Sequence, residues 1–142
     1  MADQYDPRQV AVFINGQEIV GFAEGTFITA ERSAERYGEP DVGAKGEVTW
    51  VRSADDTGTI TLTLKHNSVS NAYLTELFRE QDEPGAEITI SVVDRNFEGD
   101  VSVGGSDCRI ANLPPFTRGA EVETIEWVIR VADYDAVFEG VE

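Results

Sequence analysis

The pattern of apolar and polar positions changes its period near the middle of the chain. Over residues 59–65, aliphatic side chains alternate with hydroxyl-bearing ones, and this period of two predicts a strand with one apolar face. Further on, Leu74, Leu77 and Phe78 fall on one side of a helix. Together these segments predict a strand followed by one flanking α-helix over about residues 69–82.

The ends of this helix have their own signals. Ser68 and Ser70 are both plausible N-caps, because a serine oxygen can accept one of the N–H groups that the first turn leaves free. Pro84-Gly85 ends the helix, and an alternating segment over residues 88–92 predicts a second strand.

Every other periodic segment is typical of a strand. Asn15-Gly16 between two apolar runs predicts a hairpin, because both residues tolerate positive φ. Turns are expected at 96–99 and 104–107, and a bend at 133–135. The further strands are predicted over residues 10–14, 19–20, 26–32, 47–52, 100–103, 108–111 and 121–131. About nine or ten strands at this spacing predict a mainly β fold, a barrel or a sandwich.

One long polar segment, residues 33–46, interrupts the strands with three glycines, a proline and five charges. A loop of this length in a compact domain is functional or disordered. It is either a floppy excursion or an arm that becomes ordered against a neighbouring subunit. At 142 residues the chain is expected to form a single domain, with residues 1–8 as a flexible N-terminal segment.

Composition narrows the function. Asp and Glu outnumber Lys and Arg by 27 to 11, which gives a net charge of −16, and such a surface repels nucleic acid and anionic lipid. Cys108 is the single cysteine, so no disulfide can form within the chain. The first residues lack the pattern of a signal peptide, and no stretch reaches the length of a membrane span.

The search for catalytic chemistry finds almost nothing. His66 is the single histidine and Cys108 has no basic cluster beside it, so a structural role is favoured for both. Asp55-Asp56 and the Asp133/Asp135 pair lack the ligand spacing of a calcium loop, and turn chemistry explains them better. We therefore expect no catalytic, metal or cofactor site, and a protein that is not an enzyme.

The chain resembles the tail tube proteins of contractile-tailed bacteriophages over about residues 9–140. The order and spacing of several short segments carry the resemblance. These segments are 21–27 (GFAEGTF), 46–49 (GEVT), 53–64 (SADDTGTITLTL), 68–71 (SVSN), 114–116 (PPF) and 126–127 (EW). One departure is Val69, where a proline is expected in the first helical turn, although proline there is favourable rather than required.

The resemblance implies a fold and a role. The fold would be the β-barrel or sandwich of the phage tail tube type, related to type VI secretion and bacteriocin tubes. Six copies would form a ring, and stacked rings would form the inner tube of a contractile tail. The expected partners are the chain itself, the tail sheath protein, baseplate and tape-measure proteins, and double-stranded DNA that passes through without specific binding. The location would be the virion, with assembly in the host cytoplasm.

The resemblance also assigns the loop 33–46 to contact with an adjacent ring or subunit. The candidate self-assembly residues in it are Ser33, Arg36, Tyr37, Glu39, Asp41 and Lys45. A neutral or acidic lining would let DNA slide, and hydroxyl-bearing strand positions fit such a lining, although an ordinary solvent face explains them equally well. The candidate lumen-facing residues are Thr59, Thr61, Thr63, Thr89 and Ser91. Strand edges that pair across subunits would close this lining.

Three other interpretations stay open. The first is a tube component of a type VI-like or bacteriocin injection system. The second is a monomeric β-sandwich binding module, with Trp50, Tyr37 and Tyr73 as the candidates for an aromatic platform. The third is a small hydrolase that uses His66 with acidic residues.

Overall fold

A computed structural model describes residues 4–139 and shows a mainly β protein with one α-helix within that range. The strands are β1 (Val10–Ile14), β2 (Gln17–Ile19), β3 (Ile28–Arg32), β4 (Asp41–Val42), β5 (Val48–Thr49), β6 (Gly58–Lys65), β7 (Ile90–Asp94), β8 (Val101–Ile110) and β9 (Thr124–Phe138). The helix α1 spans Ser70–Glu80, within the predicted 69–82. The predicted fold class is confirmed.

Seven strands form one antiparallel sheet in the order β2-β1-β7-β8-β9-β6-β3, and β4 pairs with β5 in a separate two-stranded sheet. The Asn15-Gly16 hairpin between β1 and β2 is confirmed, and both residues have positive φ. The long strand β9 pairs with β6 along residues 124–131 and with β8 along residues 129–138.

The two ends of this sheet come close together at one place. Strand β2 lies at one edge, yet two residues after it ends, the Gly21 carbonyl accepts a hydrogen bond from Lys65 N on β6. Ala23 N then donates to Thr63 O, also on β6. The one residue between Ile19 and Gly21 spans only several ångströms. The sheet must therefore curl until the edge strand β2 lies close to β6.

The core fills the concave side of the sheet, and α1 covers it. Leu74 and Leu77 of α1 are buried against aliphatic side chains from β1, β6, β7 and β9 and against Trp127. Burial of one such side chain stabilises the fold by roughly 1.5–3 kcal/mol. The three positions Ile60, Leu62 and Leu64 are fully buried, as their alternation predicts.

Hydrogen bonds fix the start of α1 to the sheet. The N-cap residue is Val69, which has no side-chain cap, so neither Ser68 nor Ser70 is the N-cap. Both serines bind the end of β2 instead: Ser68 Oγ donates to Val20 O at 2.6 Å, and Ser70 Oγ accepts from Val20 N at 2.9 Å. Ser68 Oγ also accepts from Ser70 N at 3.2 Å, so one local bond remains while the two serines together satisfy both backbone groups of Val20 at the sheet edge.

Two sequence predictions in the second half of the chain are wrong. The segment 104–107 is not a turn, because β8 runs through it as one strand. Gly104 and Gly105 are there because their neighbours approach closely: a Cβ on either would collide with the backbone oxygen of Ile90 or Asp133. The returning edge predicted at 108–111 is therefore the end of the same strand.

The bend predicted at 133–135 is also absent, since β9 continues through it to Phe138. Alternation slips there instead: Val131 and Tyr134, three residues apart, are both buried. The partner strand slips at the same level, where Asp107 has a φ of 52°. The two slips match, so the strands stay paired across the irregularity.

The N-terminal prediction falls partly outside the described range, because residues 1–3 are not described. Next to them, Asp6 lies against the turn after β7. Asn96 Oδ1 accepts from Asp6 N at 2.9 Å, and Asn96 Nδ2 donates to Asp6 O at 3.1 Å. The flexibility of residues 1–8 and the single-domain organisation stay predictions.

Candidate self-assembly surfaces

The predicted loop 33–46 is the first part of a longer excursion between β3 and β6, residues 33–57, which we call the arm. It contains β4 and β5, so part of the expected loop is a strand. The strand expected over 47–52 shrinks to Val48–Thr49. The hairpin turns where Gly46 has a φ of +90° and Gly43 N donates to Glu47 O at 2.7 Å.

Arg36 holds the base of the arm together. Its backbone oxygen accepts from Ser53 N at 2.8 Å, and its Nη1 donates to Ser53 O at 2.9 Å. Its Nη2 lies 2.5 Å from Asp56 Oδ1, and Arg32 lies 3.9 Å from the same oxygen. Among the candidate residues, Arg36 therefore positions the arm internally and is not free for a partner.

Beyond its base the arm exposes apolar side chains. Tyr37 and Trp50 contact each other edge to face, with ring centroids 6.3 Å apart, and Trp50 is 61% exposed. The other exposed apolar residues of the arm are Val42, Val48 and Val51. Among the polar candidates, Ser33 N donates to Thr57 O, whereas Glu39, Asp41 and Lys45 are exposed and form no ion pair within residues 4–139.

The structure places the five candidate lumen residues on one face of the seven-stranded sheet, the face opposite the core, which we call the polar face. Thr59, Thr61 and Thr63 are half-buried on β6, whereas Thr89 and Ser91 are exposed at β7. Strands β8 and β9 separate the two groups. The threonine group and the β7 group therefore share a face without touching.

Sequence reasoning missed a second feature of the polar face. Arg109 on β8 and Arg130 on β9 are directly opposite each other in the ladder. A groove of about 380 Å³ beside them is also lined by Ser33, Thr57 and Asp107. No signal in the sequence pairs residues 21 positions apart, because the predicted turn at 104–107 put β8 in the wrong register.

Two further surfaces escaped the sequence analysis. A groove of about 800 Å³ runs along the segment between β2 and β3, where Phe22 and Phe27 contact each other. In the loop after β8, Phe116 is 83% exposed, and the Arg118 guanidinium lies 4.3 Å from its ring centroid. The paired prolines before Phe116 signalled only that no central strand forms there.

The candidate reactive residues occupy structural positions. His66 Nδ1 lies 3.3 Å from Glu123 O, next to the bond between His66 N and the same oxygen. Cys108 is fully buried, and burial raises the pKa of its thiol to about 11, which keeps it protonated and unreactive at neutral pH.

Of the two acidic pairs, Asp55-Asp56 behaves as the turn interpretation predicts, whereas Asp133 and Asp135 lie within β9 and form no turn. Asp55 Oδ1 accepts from Thr57 Oγ1 at 2.6 Å and from Thr57 N at 2.9 Å, and these bonds lower the pKa of the Asp55 carboxyl. No group of three or more potential metal ligands occurs within residues 4–139. No helix in that range is long and apolar enough to cross a membrane.

Comparison with known proteins adds the family. The model of the bacteriophage PhiTE tail tube protein family matches residues 14–139. Among solved structures, the chain is similar to the tube-terminating cap of the anti-feeding prophage (AFP), seen by cryo-electron microscopy. That likeness has a TM-score of 0.54 and 12% sequence identity, and covers 96% of this chain and 93% of the cap chain, so it concerns the fold. No curated protein matches. Since the family model spans nearly the whole chain, the chain belongs to the bacteriophage PhiTE tail tube protein family.

Proposed function

We propose that this chain is a structural virion protein that assembles into hexameric rings, which stack into the inner tube of a contractile tail. The observation that carries the proposal is the arm, which exposes five large apolar side chains, two of them on the β4–β5 hairpin and three beside it. A chain with a net charge of −16 repels its own copies, so apolar contacts of this kind are needed to bring copies together.

A free strand edge beside the arm supports the same proposal. Thr63 N donates to Phe27 O and Ser33 N donates to Thr57 O, so alternate residues of β3 face β6. By the alternation of an antiparallel ladder, the backbone groups of Ile28, Ala30 and Arg32 point away from it. An open edge of this length invites pairing with another strand. In the proposed ring, a neighbouring copy supplies that strand.

The polar face suits the lining of such a tube. Threonine and serine hydroxyls cover β6 and the start of β7 on this face, and these uncharged positions do not hold duplex DNA by counterion release. We place Thr59, Thr61, Thr63, Thr89 and Ser91 at or near the lumen. DNA then passes as a mobile cargo without specific binding.

The remaining partners follow from this role. The outside of the tube contacts the tail sheath protein, and its ends contact baseplate and tape-measure proteins. Assembly takes place in the host cytoplasm, and the chain acts by association rather than by catalysis. A tube component of a type VI-like or bacteriocin injection system would use the same surfaces, and detection of the chain in purified, DNA-filled phage particles separates the phage role from that one.

Negative-stain electron microscopy with sedimentation velocity tests the proposal. The purified chain is examined over a hundredfold range of concentration at near-physiological salt. We expect rings or hollow tubes whose fraction rises with concentration. A single monomeric species over the whole range contradicts the proposal.

The exposed aromatic pair favours a second candidate function, a monomeric module that binds carbohydrate. Tyr37 and Trp50 are exposed side by side, whereas Tyr73 is not available, because its hydroxyl donates to Ile14 O at 2.9 Å and its ring lies against the core. The two exposed rings meet edge to face rather than forming a flat platform. Glycan-array binding that is lost in Trp50→Ala, from a protein that stays monomeric, would establish this candidate.

A further inference from the structure

Two arginines stand side by side on the polar face of an acidic protein. Arg109 and Arg130 are directly opposite each other on β8 and β9, within a chain that has 27 acidic and 11 basic residues. Like charges at directly opposite positions destabilise a sheet. Both side chains are exposed, and an anion from within the chain or from outside it would offset this cost.

Within the described part of the chain, a carboxylate pairs with only one of the two arginines, Arg109. Arg109 Nη1 lies 3.0 Å from Asp107 Oδ1, and the φ of 52° at Asp107 turns the backbone at this point. Arg130 donates one long bond of 3.3 Å, to the neutral Thr59 Oγ1. No carboxylate pairs with Arg130 within residues 4–139.

The space next to the arginine pair is open. The groove of about 380 Å³ beside Arg109 and Arg130 is bounded on its other side by Ser33 and Thr57. These two residues are the ends of the arm, and the bond from Ser33 N to Thr57 O closes its base. The groove therefore lies where the polar face meets the base of the arm.

We propose that Arg130, with Arg109 beside it, receives a carboxylate side chain from a second copy of this chain. A guanidinium has a planar fork of donors that matches a carboxylate, and one long hydrogen bond leaves most of the Arg130 donors free. The excess of acidic residues means that any neighbouring copy presents carboxylates. This inference rests on the proposed function.

The surroundings favour a carboxylate over a nucleic acid. Asp107 lies in the groove itself, and Asp133 and Asp135 are exposed further along β9 on the same face. Duplex DNA presents a continuous line of phosphates, which these acids repel, whereas a single side chain can enter between them.

A pair of matched variants tests the charge. Arg130→Gln removes the charge and keeps the length, and Arg79→Gln does the same to an exposed helical arginine that forms no ion pair within the described part of the chain. Sedimentation velocity gives the protein concentration at half assembly. We expect Arg130→Gln to raise it about fivefold to tenfold, and Arg79→Gln to leave it unchanged.

The outcomes separate the two proposals. If the native chain never assembles, the proposed function and this inference both fail. If it assembles and the two variants behave alike, this inference alone is overturned. Fluorescence anisotropy with a 20-base-pair duplex completes the test: binding by the native chain that Arg130→Gln abolishes would make DNA the anion and overturn the inference.

A second variant identifies the contact directly. Arg130→Lys places an amine in the groove. A carbodiimide then joins this amine to a carboxylate in contact with it through an amide bond with no spacer. The assembly is formed from an equal mixture of unlabelled and ¹⁵N-labelled chains and analysed by mass spectrometry. Mixed-isotope crosslinked peptides from position 130 are expected. If every crosslink from this position joins peptides of the same isotope, for example to Asp107, the inference is contradicted.

Discussion

The helix seam and the arm use similar residues for opposite purposes. At the helix seam, where α1 meets the sheet, Trp127 Nε1 donates to Asn71 Oδ1 at 3.0 Å and the ring is buried. In the arm, Trp50 is mostly exposed and contacts one other ring at its edge. Trp127 therefore stabilises the fold of the single chain, whereas Trp50 is exposed to solvent.

Polar groups show the same contrast. At the far end of the helix seam, the Gln81 amide bonds both backbone groups of Ile110, at 2.8 and 3.0 Å. In the arm, hydrogen bonds concentrate at the base around Arg36, and the charged residues beyond it have no partner within residues 4–139. Stability of the single chain therefore depends on the seam, and the proposed association depends on the arm.

The largest expected difference between the two regions concerns apolar burial. Leu74→Ala should lower the free energy of unfolding by about 3 kcal/mol, because it leaves a cavity under α1. Val42→Ala in the arm should change it by less than about 0.5 kcal/mol, since Val42 is exposed. Urea denaturation measures both changes in the free energy of unfolding, at protein concentrations below those at which copies associate. Similar losses from the two variants would end the distinction.

Alkaline pH provides a second comparison. Burial raises the pKa of Cys108 to about 11 from an ordinary value of 9.0, so the unfolded chain ionises first as the pH rises. The stabilising contribution is complete below pH 9 and is lost between pH 9 and about pH 11, and the loss is roughly 3 kcal/mol. Cys108→Ala should remove this part of the pH dependence, while the tyrosines, common to both proteins, continue to titrate. Parallel pH profiles for the two proteins would mean that the thiol reaches solvent.

A third comparison concerns a single half-buried amide. Asn71→Ala should lower the free energy of unfolding by about 1–2 kcal/mol, because it leaves the Trp127 N–H without its acceptor. It also removes the bond from Asn71 Nδ2 to Lys65 O. Asn112→Ala, whose amide accepts only from Leu113 N, is the control and should cost less than about 0.5 kcal/mol. Equal effects would show that the seam does not depend on this bond.

The smallest effect on the single chain should come from the arm. Trp50→Ala is expected to change the free energy of unfolding by less than about 0.5 kcal/mol, and to raise the concentration at half assembly at least about tenfold. Val69→Ala removes another exposed apolar side chain, at the start of α1, and should change neither quantity. Assembly of Trp50→Ala at the native concentration would remove the arm from the proposed interface.

Much of the fold was predictable because its signals are local. The alternation in β6 and the Asn-Gly hairpin are read from neighbouring residues, whereas α1 ends at Glu80, before the predicted stop at Pro84-Gly85. The prediction of a turn at Gly104-Gly105 is wrong because these glycines are required by close contacts with Ile90 and Asp133, which are distant in sequence. Propensity predicts a turn at Gly-Gly, and tertiary packing outweighs it here.

The candidate surfaces were predictable to a smaller extent. The arm was identified as a break in the periodicity, and the threonines as one face of a strand. The pairing of Arg36 with Ser53 determines which arm residues form its base and which are exposed. No local pattern in the sequence shows this pairing. The Arg109–Arg130 pair depends on strand register, and register is a property of the folded sheet.

The position of β9 in the sheet has a consequence for how the protein is made. It lies between β8 and β6, yet it is the last strand of the described chain to leave the ribosome. Until it emerges, β6 and β8 each lack a neighbour and the core stays open to water. A chain cut short before Thr124 therefore lacks the strand that joins the two parts of the sheet, and we expect such a chain to be excluded from the proposed tube.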